Sequence, residues 1–325
     1  MEKSYLFWAV YKNLEKEVLM VFDYVHCTDK HLEVYSMHIA DLIVRCVIEI
    51  ESISKEIYRN IKEMSNEEVP KDYVFKEENH SSFLMFDTDC LSLLNRIWGL
   101  DKRRIIIAAV KCSLMKQENK SFRPLKNAGK KGDRGAYWNR VYQALKHDRF
   151  KNLKKGNIRA LLHAMGALYL LNIYYMNESV NLGDSKTSFD ASMGSKLFSL
   201  IYNDVRSIGI SGDKITLPNG GGKEDDEEAT YILKVNDIDL PKYIKSFQQD
   251  IADANKRIQD SLELKEYLKN HPEYSNIDII KQIEGAGLKM GQFLKMNNFM
   301  KTLHRLKYIA VLNKNQPLYP DKLMG

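Results

Sequence analysis

Residues 157–176 read NIRALLHAMGALYLLNIYYM. From Ala160 to Met176 this is a run of 17 mostly apolar residues, interrupted by His163 and Asn172. It falls short of the roughly 20 residues that cross a hydrocarbon core, so a helix buried inside a soluble protein is the better reading, with His163, beside Leu162, as a core histidine. Just upstream, past a link containing Gly156, Tyr137–Phe150 forms a second helix with Trp138, Val141, Tyr142 and Leu145 on one stripe. Two more helical patterns lie before it. Tyr5–Val25 is apolar at Leu6, Val10, Leu14, Val18, Val21 and Phe22. His31–Ile61 is apolar at Ile39, Leu42, Ile43, Cys46, Ile50, Ile53 and Ile57. Four long helices with short or loopy links predict an up-and-down bundle over residues 1–178.

Between these pairs the pattern is weaker. Lys62–His80 is polar and reads as loop, and a helix carrying Leu91, Leu94 and Ile97 starts near Thr88, with Asp87 or Thr88 as its cap. Ile105–Val110 (IIIAAV) fits a buried strand or a buried helix equally well. Beyond Ser179 the character changes, and residues 179–325 read as an α+β region with a small β-hairpin or sheet. Its strands are expected within about 206–235 (Ile208–Ile210, Lys214–Leu217, Thr230–Val235), around a Gly-rich acidic loop at Asn219–Glu228. Two long helical regions follow, Pro241–Lys269 and about Ile277–Asn313. The expected class is mainly α.

The chain has 325 residues, 44% hydrophobic and 28% charged, an ordinary globular balance that excludes fibrous and largely disordered classes. Its four cysteines, Cys27, Cys46, Cys90 and Cys112, include no CxxC pair, so neither a zinc ribbon nor a disulfide scaffold is indicated. Met1–Trp8 lacks an apolar secretory core. A soluble, cytoplasmic, reduced protein without a membrane segment is the expectation.

Charge is uneven along the chain. Between Asp101 and Arg159 stand 18 Lys/Arg against 4 Asp/Glu, a local balance of +14 in a chain of net charge +6, so the remainder carries −8. Such a segment suits RNA or another polyanion, and a solvated basic loop is its bland counterpart. Other motifs carry less. Gly285-Ala-Gly287 with Gly291 imitates a dinucleotide fingerprint, but no strand precedes it, and it reads as a helix break. His26, Cys27 and His31 lack a matching second pair of metal ligands. No metal or cofactor is expected.

One segment, Tyr137-Trp-Asn-Arg140-Val-Tyr-Gln-Ala-Leu-Lys146-His147-Asp-Arg149, carries a chemical argument. Arg140 and His147 are seven residues apart, so on an α-helix they share a face two turns apart. That face points away from the apolar stripe and also holds Ala136, Gln143 and Ala144, with Lys151 beyond; the small alanines suit close approach by a twofold-related copy. A histidine, with an ordinary pKa near about 6.5, moves protons at neutral pH. An arginine offers a fixed bidentate charge to phosphate. Together they suit cleavage of RNA: His147 takes the 2′-OH proton and Arg140 steadies the charged transition state.

Arg140-x6-His147, the following Lys146-His147-Asp148-Arg149 and the ALLHAMGALYLL helix resemble the HEPN superfamily, as does the Tyr35–Lys55 helix with its Glu-Ile-Glu-Ser run. The resemblance spans about residues 1–175. It implies a four-helix bundle dimerised across an R-x(4–6)-H motif, and a metal-independent RNase of toxin–antitoxin or phage-defence type. In that reading Arg140 and His147 are catalytic, Lys126, Lys130, Lys131, Arg134, Lys146, Arg149 and Lys151 hold the RNA backbone, and the chain is a homodimer with a protein partner or antitoxin. Other members are non-catalytic, which keeps open a nucleotide-binding, nucleic-acid-binding or scaffold protein. There Lys146, His147 and Arg149 serve structure or binding, with Arg149 paired to Glu49 or Glu51.

Overall fold

Tyr11, Leu14, Val18, Val21 and Phe22 of α1 (Ser4–Tyr24) are buried, as are Ile39, Ile43, Cys46, Ile50, Ile53, Ile57 and Ile61 of α2 (Met37–Glu63). Spacings of three and four residues give each helix one apolar stripe, and the two stripes face a common core. The computed structural model describes residues 4–63, 69–76, 83–204, 209–211, 214–216 and 227–316. The chain between 31 and 36 forms turns rather than helix, and α2 starts only where Ser36 Oγ accepts a hydrogen bond from the Ile39 amide (3.1 Å). The helix expected near Thr88 begins as a wide π-turn at Phe86–Leu91 and runs into the short α3 (Ser92–Trp98), ended by Gly99 at φ 63°.

After α4 (Gln117–Lys120), three helices complete this half: α5 (Tyr137–His147), α6 (Arg149–Asn152) and α7 (Ile158–Met176). Helices α1, α2, α5 and α7 pack against one another, and α2 against α7 is the largest helix interface. That interface explains the apolar run that marks α7: Ile158, the stretch Ala160–Leu162 and the stretch Ala164–Tyr174 are buried. Asn157 starts α7 by accepting a hydrogen bond from the Ala160 amide (2.9 Å), and Asn177, left-handed at φ 51°, ends it. Among the described residues no helix is long and apolar enough to cross a membrane.

The strands complete an assembly that is mainly helical with small sheets. Ile105–Val110 resolves as a strand, β2 (Ile105–Ile107), because its backbone finds partners on both sides. Strands β1 (Cys27–Thr28) and β3 (Cys112–Ser113) form a two-residue parallel pair. β2 lies between β4 (Ser121–Phe122) and β6 (Phe198–Leu200). A second sheet runs in the order β5 (Val180–Gly183), β11 (Tyr308–Leu312), β10 (Tyr231–Val235), β7 (Tyr202–Asp204). A hairpin joins β8 (Gly209–Ser211) to β9 (Lys214–Thr216). The expected Gly-rich acidic loop lies outside the described residues except for Glu227 and Glu228.

The last third departs from the expected pair of long helices. Pro241–Lys269 is two helices, α8 (Leu240–Asp260) and α9 (Leu262–Asn270), parted where extended Ser261 caps α9 by accepting from the Leu264 amide. Ile277–Asn313 is three short helices, α10 (Ile279–Gly285), α11 (Met290–Phe293) and α12 (Asn297–Leu303), followed by β11. Buried Asp250 of α8 holds the start of α12 through the Asn298 and Phe299 amides (3.3 and 2.8 Å). Leu182, Phe198, Leu200, Tyr231 and Leu233 share one continuous core with the bundle, so that core takes in residues on both sides of position 178. Two small satellite cores serve the helices beyond β10, one around Leu240, Tyr243 and Leu306, the other around Ile258, Leu264 and Phe293.

Candidate nucleic-acid interface

The stripe read from the sequence is the buried side of α5: Trp138, Val141, Tyr142 and Leu145 are all within the core. Trp138 Nε1 donates to the Pro124 carbonyl (2.9 Å), which fixes the rotation of the helix. Arg140, Lys146 and His147 are exposed as a result. On a helix rising about 1.5 Å per residue, Arg140 and His147 stand about 10 Å apart along the axis. The Arg140 guanidinium lies 5.9 Å from the centre of the Tyr137 ring and Lys146 Nζ lies 5.8 Å from that of Tyr142, so aromatic rings of the same helix support both cations. The small-residue face is narrower than expected. Ala136 is buried at the start of the helix, and Gln143 and Ala144 are half-buried.

The helix stops at His147 because Asp148 turns to cap α6, accepting from the Lys151 amide (3.1 Å). Asn152 Nδ2 also donates to the carbonyls of Ala144 and Asp148 (3.1 and 2.9 Å). Lys151 therefore belongs to α6, where it pairs with Asp148 (3.5 Å). Arg149 pairs with Asp41 of α2 (2.6 Å), not with Glu49 or Glu51; Glu51 is taken by Lys55 (2.7 Å). Two of the expected RNA contacts, Arg149 and Lys151, thus have intramolecular partners. Arg140, Lys146 and His147 make no ion pair among the described residues.

The basic loop ahead of α5 is anchored. Leu125 and Ala128 are buried, and a β-carbon on Gly129 would meet the Ser92 backbone at 2.8 Å, so the loop lies directly on the start of α3. It closes on itself where a β-carbon on Gly135 would meet the Lys130 carbonyl oxygen at 2.8 Å, too tight for a side chain. Lys126, Lys130, Lys131 and Arg134 are all exposed on this loop, and Lys130 Nζ donates to Asn127 Oδ1 (3.1 Å). They stand by the N-terminal end of α5, whereas Lys146 and His147 stand at its C-terminal end.

The linear excess of positive charge is partly consumed by acids from elsewhere. Arg104 pairs with Glu228 (2.7 Å), Lys102 with Glu227 (2.8 Å), Arg159 with Glu33 (2.8 Å) and Lys111 with Asp23. Arg103 is fully buried. The cations left without an ion pair among the described residues include those of the loop and Arg140 and Lys146 of α5. One residue of α6 has no counterpart in the sequence reading: Phe150 is 96% exposed, three positions past His147 and among Arg149, Lys151, Lys154 and Lys155. Its signal was present as an aromatic inside the basic run RFKNLKK, at a position that the reading assigned to the preceding helix.

Among the described residues, His163 is the one histidine of the bundle interior. Its ring stacks on Phe122 (4.1 Å between centres) and meets the edge of Tyr137 (5.4 Å). Burial pushes its pKa down to about 4, and Arg159 adds to the effect. It is a packing residue at neutral pH. His31 Nδ1 is engaged by the His26 carbonyl (2.8 Å) and Thr28 Oγ1 (2.9 Å), and no cluster of three metal-binding side chains occurs among the described residues. The chain matches no family model, no curated protein and no solved structure.

Proposed function

We propose that this chain is an RNA-binding ribonuclease of the toxin or phage-defence kind, cytoplasmic and homodimeric, with its chemistry on the outer face of α5. The observation that carries this reading is selective idleness. Arg140 and His147 share an exposed face and hold no ion pair among the described residues, while their neighbours Arg149 and Lys151 do. His147 takes the proton from a ribose 2′-OH and returns it to the leaving oxygen, and Arg140 steadies the charge that develops on the phosphate. Attack by the 2′ oxygen on its own phosphate needs no metal and leaves a 2′,3′-cyclic phosphate. Lys126, Lys130, Lys131, Arg134 and Lys146 attract the backbone, and exposed Phe150 offers a stacking surface for an unpaired base. A twofold partner brings a second Arg140/His147 pair to the same cleft, and an antitoxin or other protein restrains it.

The test is cleavage of a cellular RNA pool by purified protein with EDTA present. His147→Ala and Arg140→Ala are each expected to lower the rate about 10²-fold or more, with cyclic phosphate ends in the wild-type products. No cleavage, or equal cleavage by all three proteins, removes the catalytic reading. The non-catalytic alternative is supported by the Arg149–Asp41 pair, in which a residue next to His147 is engaged within the fold. It is expected to show RNA binding that weakens steeply with salt, and loses about one unit of salt slope on Lys131→Ala, with no cleavage by any variant.

A further inference from the structure

Cys27 and Cys112 are 85 positions apart in sequence and directly opposite each other in the parallel β1–β3 pair, register Cys27 to Cys112. Registered residues of neighbouring parallel strands project to the same side, with backbones about 4.8 Å apart. That spacing lies within the range a disulfide bridges. Both are free thiols; Cys27 is buried and Cys112 is half-buried, so the pair sits at the edge of the core rather than deep within it. The remaining two cysteines differ: Cys46 is buried against Met165 (Sγ to Sδ 3.2 Å) and Cys90 is buried in the π-turn before α3.

We infer that Cys27 and Cys112 form a redox-sensitive pair that closes to a disulfide when the protein meets hydrogen peroxide. The thiol of Cys112 hydrogen-bonds to that of Cys27 and holds the Cys27 thiol below its ordinary range, while Cys112 is pushed up by the same bond and by burial. Of the two thiols Cys27 is thus the one favoured to ionise, and thiolate is the reactive form. The thiolate attacks one peroxide oxygen, the O–O bond breaks, and the departing hydroxide takes up a proton as water. The resulting sulfenic acid is attacked by the second sulfur; the S–S bond forms, the S–O bond breaks, and a second water leaves. Two thiols are oxidised and one peroxide is reduced. The cross-link ties residues 112–113, within the basic segment, to the turn between α1 and α2. Asp29 in that turn already binds the Met115 and Lys116 amides (2.9 and 3.2 Å) and Asn119 (2.7 Å), so closure reinforces an existing contact instead of displacing one.

The experiment treats the reduced full chain with hydrogen peroxide, blocks remaining thiols with N-ethylmaleimide, and maps the peptides by mass spectrometry. The expected result is loss of two of the four free thiols, a peptide containing Cys27 linked to one containing Cys112, and return of all four on reduction. Cys112→Ser is expected to abolish the link and leave a sulfenic acid on Cys27 that dimedone traps. A Cys46→Ser/Cys90→Ser variant is expected to keep the link. Retention of four free thiols under peroxide, a link involving Cys46 or Cys90, or a link between two chains would each overturn the inference.

Discussion

At the scale of single residues, the sharpest consequence concerns His163. Its pKa falls from an ordinary value near about 6.5 to about 4 because the ring is buried between Phe122 and Tyr137. Above the unfolded value both states are neutral and its contribution is fully present. Between about 6.5 and 4 the unfolded chain binds a proton that the folded chain does not, so stability falls as pH falls. The full loss is on the order of 3 kcal/mol. Urea unfolding at pH 7 and pH 5 is expected to show about 2 kcal/mol of this loss in the wild type and a flatter profile in His163→Gln; identical profiles would remove His163 as the cause. The opposite logic governs Glu15. Burial pushes its carboxyl up, but hydrogen bonds from Lys12, Ser195 and the Lys196 amide (2.8 Å) outweigh it and hold the group below the usual carboxylate range. One side chain reads as a histidine kept neutral, the other as a carboxylate kept charged, and packing rather than residue type makes the difference.

Elements set which charges are available. The outer face of α5 is free because its inner face is fully occupied, and the basic loop is presented because Leu125, Ala128 and Gly129 tie it to the body. Gly129→Ala would force the Ser92 backbone away from contacts of 2.8–3.2 Å. The expected cost is about 1–3 kcal/mol of stability, with weaker RNA binding because Lys126, Lys130 and Lys131 move with the loop. Equilibrium unfolding and a binding titration on the same variant check both parts. Unchanged stability would mean that the loop does not rest on α3. The loop reading from the sequence, a run of lysines and glycines, contained the positive charge but not the anchor, since the anchor is a contact with a segment more than thirty residues away.

For the whole molecule, segments far apart in sequence, around residues 98, 174, 227 and 313–315, meet on one buried guanidinium. Arg103 donates to the hydroxyl of Tyr174 (3.0 Å), the carbonyls of Trp98 (2.6 Å), Glu227 and Asn313 (2.9 Å), and Asn315 Oδ1 (2.9 Å). It has no carboxylate partner among the described residues, so its charge is balanced by oriented dipoles alone. Arg103→Met is expected to cost about 3 kcal/mol or more, because it strands buried carbonyls. Arg103→Lys is expected to recover little, since one ammonium cannot reach partners spread around a planar fork. Calorimetry of both variants tests the tie, and near-wild-type unfolding of Arg103→Met would refute it.

What the sequence determined by itself is whatever repeats locally. The stripes of α1, α2, α5 and α7, the burial of the Ala160–Met176 run and the exposure of Arg140 and His147 all follow from spacings of three and four residues, which are fixed once a helix forms. The tertiary structure alone decided everything that depends on a distant partner. Tyr308–Leu312 is a strand because Tyr231–Val235 pairs with it, although the run around it reads as helical. Arg149 belongs to Asp41, and Arg104 to Glu228, because folding brings those carboxylates to them. Cys27 meets Cys112 only through the register of two short strands. Periodicity is carried by neighbours along the chain, while pairing energies are carried by neighbours in space, and a single sequence records only the first.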